Sequence, residues 1–376
     1  MRVGLLPGSL SGSGGPDTYV TGFAKALTQL RSTADVRVLL LGTKQATRAA
    51  ARQRATASAL LGVAVRGRPV STRLLQRGRS ALLPSYDRLF GRHELYHQTH
   101  LDLDPPVPDS KLVLTLHDVI ADHWPDEGRL LPGAERLLSR AAAVITVSAT
   151  SRETILSRFP GVSRSRVHVV WNGVDHGAFQ PVAESEDEQR LESFGLRGPY
   201  LLYVGGLTRR KNVALLVEAY RSLRAQEADM PSLVLVGPWS PNRLDAQAAV
   251  SEGVLALGMV PADAVPALMR RATALLLPSR EEGFGLPLLE AQACGTPVLC
   301  SDIAVFREIG GGAPLYVDTS SCSALAEGVR RLLAVPAEEL ARRRETGLRH
   351  ASGFSWQRSA EGHLRVYQAV MAAGSA

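Results

Sequence analysis

The sequence predicts an α/β chain built from two doubly wound domains, each a parallel sheet with helices on both faces. Three observations predict it. At ~150 residues per domain, a chain of 376 residues has room for two. Short β-branched or Leu-rich runs alternate with longer stretches of helical period, and strands separated by helices pair in parallel. The alternation is interrupted once, at 180–198, by Pro181, the acids Glu184, Glu186, Asp187 and Glu188, and Gly195, Gly198 and Pro199.

The expected strands are Val3–Leu6, Val36–Leu41, Lys111–Leu116, Ala143–Val147, Val167–Trp171, Tyr200–Val204, Leu233–Val236, Ala274–Leu277 and Pro297–Ser301. Helical stretches lie between them, among them Pro16–Leu30, Ala134–Ser139, Ser151–Phe159 and Asn212–Ala225. In the last, Val213, Leu216, Tyr220 and Leu223 recur at spacings of three and four. The expected organisation is therefore a Rossmann-like domain over 1–180, a linker over 181–198 and a second Rossmann-like domain from 199. Two such domains hold a ligand in the cleft they face across, at the carboxyl ends of their strands.

Composition narrows the function classes. With 45% hydrophobic and 21% charged residues the chain is globular rather than disordered. Three cysteines, Cys294, Cys300 and Cys322, are odd in number and not closely paired, so they form neither a disulfide framework nor a zinc knuckle and fit a reducing compartment. No apolar run reaches the ~18 residues of a membrane span. The N-terminal run reads as a first strand rather than a signal peptide, and a cytoplasmic location is expected.

The net charge is +7, and residues 48–92 carry more than all of it. Arg48, Arg52, Arg54, Arg66, Arg68, Arg73, Arg77, Arg79, Arg88 and Arg92 face a single acid, Asp87, a local balance of +9. The stretch has three readings: a solvated surface, contact with an anionic membrane or anionic acceptor, and nucleic acid. Nucleic acid is disfavoured, because only Tyr86 and Phe90 accompany the arginines and no reading motif is present.

Several motifs fall at strand ends. Gly8–Gly15 follows the first strand and precedes a helix opened by Pro16; it fits neither the P-loop nor the dinucleotide fingerprint, so Gly14 and Gly15 stand as backbone able to approach a ligand at a helix N-terminus. His93-Glu94-x-x-His97 matches a zinc-peptidase pattern, but Gly91 before it and Pro105-Pro106 after it leave no room for the long helix that pattern needs. Asp102-Leu-Asp104 is read as a loop. Lys111–Leu116 ends in His117-Asp118, at a carboxyl end where this fold places functional side chains.

Tyr200–Val204 runs into Gly205-Gly206 and then Arg209-Arg210-Lys211, with Asn212 as the expected helix cap. Cations are disfavoured near a helix N-terminus, so three together point to a polyanion such as a diphosphate. In Pro278–Pro297 a strand ends, the loop Gly283-Phe284-Gly285-Leu286 follows, and Pro287 opens a helix. The loop N–H groups suit phosphate oxygens, and the carboxylates of Glu282 and Glu290 suit sugar hydroxyls.

In this order the motifs resemble the retaining glycosyltransferases of group 1, also called family 4, which have the two-domain GT-B fold. The resemblance covers nearly the whole chain. It includes Thr115-Leu-His117-Asp118, Ile145-Thr-Val-Ser148, Trp171-Asn-Gly-Val-Asp175, Arg210-Lys211-Asn212, the Glu282/Glu290 pair in its Gly-Phe-Gly-Leu context, and Phe354-Ser-Trp356. It implies that 199–355 binds a nucleoside-diphosphate sugar and that 356–376 is a helix crossing back to the N-domain. Lys211 with Arg210 or Arg209 would neutralise the diphosphate, helped by N–H groups at Gly283, Phe284, Gly285 and Leu286 and by Gly14 and Gly15. Glu290 would hold the ribose, Glu282 the transferred sugar, and His117 would touch that sugar near the reacting carbon. No metal and no cofactor are implied, since cations and helix ends stabilise the leaving group. Family members react by front-face substitution without a protein nucleophile.

Many relatives carry Arg at the position of Gly206; here the arginines are Arg209 and Arg210, as in a subset of mannosyl-type enzymes. The expected reaction is hexose transfer, mannose leading, to a glycan or glycolipid hydroxyl, with peripheral contact at the inner face of a membrane through 48–92. A small natural-product acceptor is the alternative; a sugar-nucleotide epimerase and a zinc metallopeptidase are more remote.

Overall fold

The computed structural model describes residues 1–6, 15–30, 35–42, 65–69, 86–101, 105, 107–125, 133–227, 229–238 and 252–374. Among these, thirteen strands form two sheets. The first comprises β1 (Arg2–Leu6), β2 (Asp35–Gly42), β3 (Val65–Pro69), β4 (Leu95–Gln98), β5 (Leu112–Thr115), β6 (Ala143–Thr146) and β7 (Val167–Val169), in the order β3-β2-β1-β4-β5-β6-β7. The second comprises β8 (Tyr200–Val204), β9 (Ser232–Val236), β10 (Val254–Gly258), β11 (Ala274–Leu277), β12 (Val298–Ser301) and β13 (Leu315–Val317), in the order β10-β9-β8-β11-β12-β13. Every pairing is parallel.

Burial on both faces explains why the central strands read as unbroken apolar runs. β5, β6, β11 and β12 are buried at every position, as is β4, whose His97 and Gln98 are buried polar residues rather than part of an apolar run. Successive side chains part to opposite faces. Val113 joins the core under the first and last helices, whereas Leu112 and Leu114 join the core on the other face. β3, β10 and β13 have weaker sequence signals: Val-Arg-Gly-Arg-Pro carries no apolar alternation, β10 lies in a mixed, half-exposed run, and β13 is only three residues long.

The chain forms two compact units, Met1–Gly173 with Trp356–Ala376, and Val174–Ser355. The last helix (Trp356–Gly374) packs on the first (Gly15–Gln29) within the first unit. Gly22 makes that approach possible, since a Cβ there would lie 2.2 Å from the Trp356 indole. The stretch 181–198, read as a linker, belongs to the second unit and contains a helix, Asp187–Ser193. Its composition misleads because Asp187 is a buried partner rather than a solvated acid: Arg270 donates to both its oxygens at 2.8 Å, with both side chains almost fully buried.

In each sheet the strand order reverses once, at β1/β4 and at β8/β11. Loops leaving the carboxyl ends on either side of such a point diverge to opposite faces and open a crevice. These two points position the residues that follow.

Of the basic stretch, Arg48, Arg52, Arg54, Arg73, Arg77 and Arg79 lie outside the described residues, as do Gly14 and Asp102–Asp104. Arg66 and Arg68 are on β3, and Arg88 and Arg92 are exposed. No helix among the described residues is long and apolar enough to cross a membrane.

Candidate active site

At the switch point of the second sheet, the loops after β8 and β11 are joined directly. The Arg280 N–H donates to the Arg210 carbonyl at 2.8 Å, and the Arg210 guanidinium donates to the Glu281 carbonyl at 2.7 Å. This brings Glu282 between two cations. Lys211 Nζ donates to Glu282 Oε1 at 2.5 Å and Arg210 donates to Oε2 at 3.2 Å. The side chains of Arg210, Lys211 and Glu282 are 12%, 19% and 8% exposed, so solvent screens the cluster little. Ser279 Oγ adds a third bond to Oε1 at 2.8 Å.

Burial alone would raise the Glu282 carboxyl, but the nearby charges of Lys211 and then Arg210 outweigh it and hold the group below the ordinary glutamate value. Glu282 is therefore ionised, and two cations against one carboxylate leave the cluster a net positive charge. Lys211 uses one of its three ammonium protons on Glu282, and the other two have no partner among the described residues. Arg209 is not part of the cluster: its side chain is exposed and forms no ion pair among the described residues.

Asn212 departs from the expected cap. Its φ of +58° is left-handed, and its side chain makes no capping bond. Instead the amide donates to the Thr319 carbonyl at 3.0 Å and its oxygen accepts from Arg280 Nε at 3.2 Å. A polar residue that tolerates this conformation turns the chain sharply after Lys211 and ties the loop to the sheet end.

The loop after β11 turns into the helix Leu286–Ala293 through Gly285, whose φ is +97°. A Cβ there would lie 2.8 Å from the Phe306 ring, so both conformation and space require glycine. Gly283, Phe284 and Leu286 are buried, and Pro287 stands in the first turn where no N–H is needed. Pro287 has no N–H and the Leu288 N–H donates to the Gly285 carbonyl at 3.0 Å, so in this first turn the Leu286 N–H is the one with no partner among the described residues. Glu290, one turn on, is partly exposed, with no hydrogen bond or ion pair to its carboxylate among the described residues. Burial pushes its carboxyl up to about 7.

In the first unit, Gly15 opens the first helix. His117 follows β5, and its Nε2 is buried without a hydrogen-bond partner among the described residues. Burial, then the neighbouring His100 and His363 imidazoles, push it down to about 3, so it is neutral. Asp118 accepts from the Ile120 N–H two residues on at 3.1 Å, just before the short helix Ile120–His123. The His-Glu-x-x-His segment is not a helix: His93 and Glu94 precede β4 and His97 lies on it, His93 Nδ1 bonds the Gly91 carbonyl, and His97 is bonded through both ring nitrogens to Tyr367 and Thr115. A zinc-peptidase geometry, with two histidines on one helix face, is not formed. No group of three or more His, Cys, Asp or Glu among the described residues is placed to hold a metal.

Sequence reasoning passed over Ser279, Arg280 and the side chains behind His117. Ser279 had a local signal, lying three residues before Glu282; the others are brought in only by the fold.

Comparison with known proteins bears on family and fold. Residues 185–350 match the family described as glycosyl transferases group 1, and residues 13–177 that described as Glycosyltransferase Family 4. The chain is 34% identical over 264 residues to alpha-maltose-1-phosphate synthase of Mycolicibacterium smegmatis, covering 63% of this chain and 66% of that one, just under two thirds of its length. It is 30% identical over 287 residues to O-antigen chain mannosyltransferase B of Escherichia coli, covering 73% and 74%. The fold is shared with Anabaena HepE, solved in complex with UDP and glucose, at a TM-score of 0.71 and 19% identity over 96% of this chain and 97% of that one. With its two parallel-sheet α/β units, both family matches and the 30% identity to a relative covered to 74% of its length, the chain belongs to the group 1 glycosyltransferases and has the GT-B fold.

Proposed function

We propose that this glycosyltransferase moves a hexose, with retention, from a nucleoside-diphosphate sugar to a hydroxyl of a glycan or glycolipid. The observation that carries the reading is the Arg210–Lys211–Glu282 cluster at the second sheet's switch point, beside a helix N-terminus.

Breaking the bond between the sugar and the diphosphate places growing negative charge on the leaving oxygen. Donors fixed in advance stabilise that charge most in the transition state. In this reading Lys211 supplies its two remaining ammonium protons, Arg210 a guanidinium already clamped by Glu281 and Glu282, and the Gly283–Leu286 backbone its N–H groups. Arg209 meets the outer phosphate as a solvated charge. Gly15, which opens the first helix, is assigned a backbone contact to the donor as well, together with Gly14, which lies outside the described residues. Glu282 is held ionised to accept from hydroxyls of the transferred sugar, Glu290 accepts from the ribose hydroxyls, and neutral His117 contacts the sugar near the reacting carbon. None of these roles needs a metal or a cofactor.

Mannose is supported by the likeness to a mannosyltransferase. An anionic acceptor, or an anionic membrane carrying it, is supported by the +9 balance of residues 48–92 and by a relative named for a sugar phosphate. The test is a thermal-shift screen against nucleoside-diphosphate hexoses, since a ligand of the folded state raises Tm. The best donor is then incubated with glycan, glycolipid and small natural-product acceptors. Sugar transfer to a glycan or glycolipid supports the reading. No stabilisation by any donor, or altered sugar nucleotide released without an acceptor, overturns it.

A further inference from the structure

Behind His117 the first unit buries a continuous chain of hydrogen bonds. Tyr367 Oη is 2.7 Å from His97 Nδ1, and His97 Nε2 is 2.7 Å from Thr115 Oγ1. Thr115 Oγ1 is 2.9 Å from Tyr19 Oη, which is 2.7 Å from His363 Nε2. His363 Nδ1 is 2.7 Å from the Ser359 carbonyl. All five residues are at most 1% exposed. They come from the first helix, β4, β5 and the last helix.

One end fixes the direction of every bond. A carbonyl only accepts, so His363 Nδ1 carries the proton and His363 Nε2 accepts. Tyr19 therefore donates to His363 and must accept from Thr115. Thr115, having donated, accepts from His97 Nε2–H, which leaves His97 Nδ1 to accept from Tyr367. Each side chain has one arrangement, and both imidazoles are neutral, in keeping with the burial that pushes His363 down to about 4 and His97 well below its ordinary value. A satisfied buried network of this kind rigidifies what it holds.

What it holds is the Tyr19 ring, which meets the His117 imidazole edge-on, with centroids 4.8 Å apart and planes at 88°. His117 has no hydrogen bond from its own ring among the described residues, and its Nε2 is buried and unpartnered. Among the described residues packing sets the ring's direction, from Tyr19 and from the His100 ring at 6.1 Å between centroids, and Tyr19 is the member anchored by the network.

We propose that Tyr19 is a positioning residue for His117, locked by Thr115 and His363 so that His117 Nε2 is held in one direction. This rests on the reading that His117 touches the transferred sugar. It also assigns the last helix a part in the site, because His363 and Tyr367 terminate the chain of bonds that anchors Tyr19.

The test compares full-length Tyr19→Phe, Thr115→Val, Thr115→Ser and His117→Ala, using the nucleoside-diphosphate hexose that stabilises the protein most in the screen above. Tyr19→Phe and Thr115→Val break the same chain at adjacent links, so either reports if the other fails to fold. Both leave buried groups unpaired and lower Tm, so the readout is kcat per folded molecule and the imidazole NMR signals of His117, identified by their loss in His117→Ala. The expected result is a fall in kcat of about ten- to a hundredfold with donor KM within about twofold, displaced His117 signals, and recovery of most of the rate in Thr115→Ser, which keeps the hydroxyl. Wild-type kcat and unmoved signals in Tyr19→Phe and Thr115→Val, with His117→Ala impaired, overturn the positioning role alone. Wild-type kcat in His117→Ala overturns the reading of His117 and the proposal with it.

Discussion

Glu290→Gln isolates the cost of the carboxylate that the site holds without a partner. Glutamine keeps the shape and removes the charge. Burial moves the Glu290 carboxyl from 4.5 to about 7 in the folded chain. Between these values the folded protein keeps a proton that the unfolded chain has lost, so stability falls as pH rises through that window and the full cost is carried above it. At about 1.4 kcal/mol per pH unit the gap amounts to at most roughly 3 kcal/mol. Glu290→Gln escapes that cost. Above neutral pH it should exceed wild type in stability, by up to roughly 6–12 °C in Tm at about 2–4 °C per kcal/mol. Below about pH 4.5 both side chains are neutral and the two proteins should melt together. Thermal unfolding across this range, followed by circular dichroism, measures the difference. A Glu290→Gln protein no more stable than wild type at about pH 8 would refute the reasoning, because the carboxylate would then have a partner or solvent enough to ionise freely.

Three further outcomes follow from the same geometry. Lys211→Ala should lower kcat/KM by about 2–4 kcal/mol, roughly 30- to 1,000-fold, the scale of one preorganised charge contact; a value within about threefold of wild type removes Lys211 from the leaving-group site. Gly285→Ala should cost about 1–3 kcal/mol in denaturant unfolding, because alanine meets both the left-handed backbone and the Phe306 ring; unchanged stability contradicts this account of the loop. Replacing Arg73, Arg77 and Arg79 with Gln should weaken binding to anionic vesicles at low salt and make no difference at high salt; equal binding at low salt makes the segment a solvated surface.

The fold was legible where burial on both faces forces apolar runs, as at Leu112–Thr115 and Ala274–Leu277. It was illegible where a strand is short or carries charge at the sheet edge, as at Val65–Pro69. The acidic stretch around Asp187 misled for a related reason: composition cannot tell a solvated carboxylate from one clamped by Arg270 across 83 residues. In the site, the cations and both glutamates were visible as local motifs. Their pairing was not, because Lys211 and Glu282 are 71 residues apart and meet only when β8 and β11 become neighbours. That pairing also separates Arg210 from Arg209, which the sequence presents as equivalent. The Tyr19–His363 bond joins residues 344 apart and carries no sequence signal.

Titration calorimetry of UDP and GDP against wild type, Lys211→Ala and Glu290→Ala tests the central claim most directly. The account predicts that at least one of the two nucleoside diphosphates binds wild type and that each substitution weakens it by about tenfold or more, the scale of one lost charged hydrogen bond. Binding that neither substitution alters would contradict it, as would wild-type protein that binds neither nucleotide.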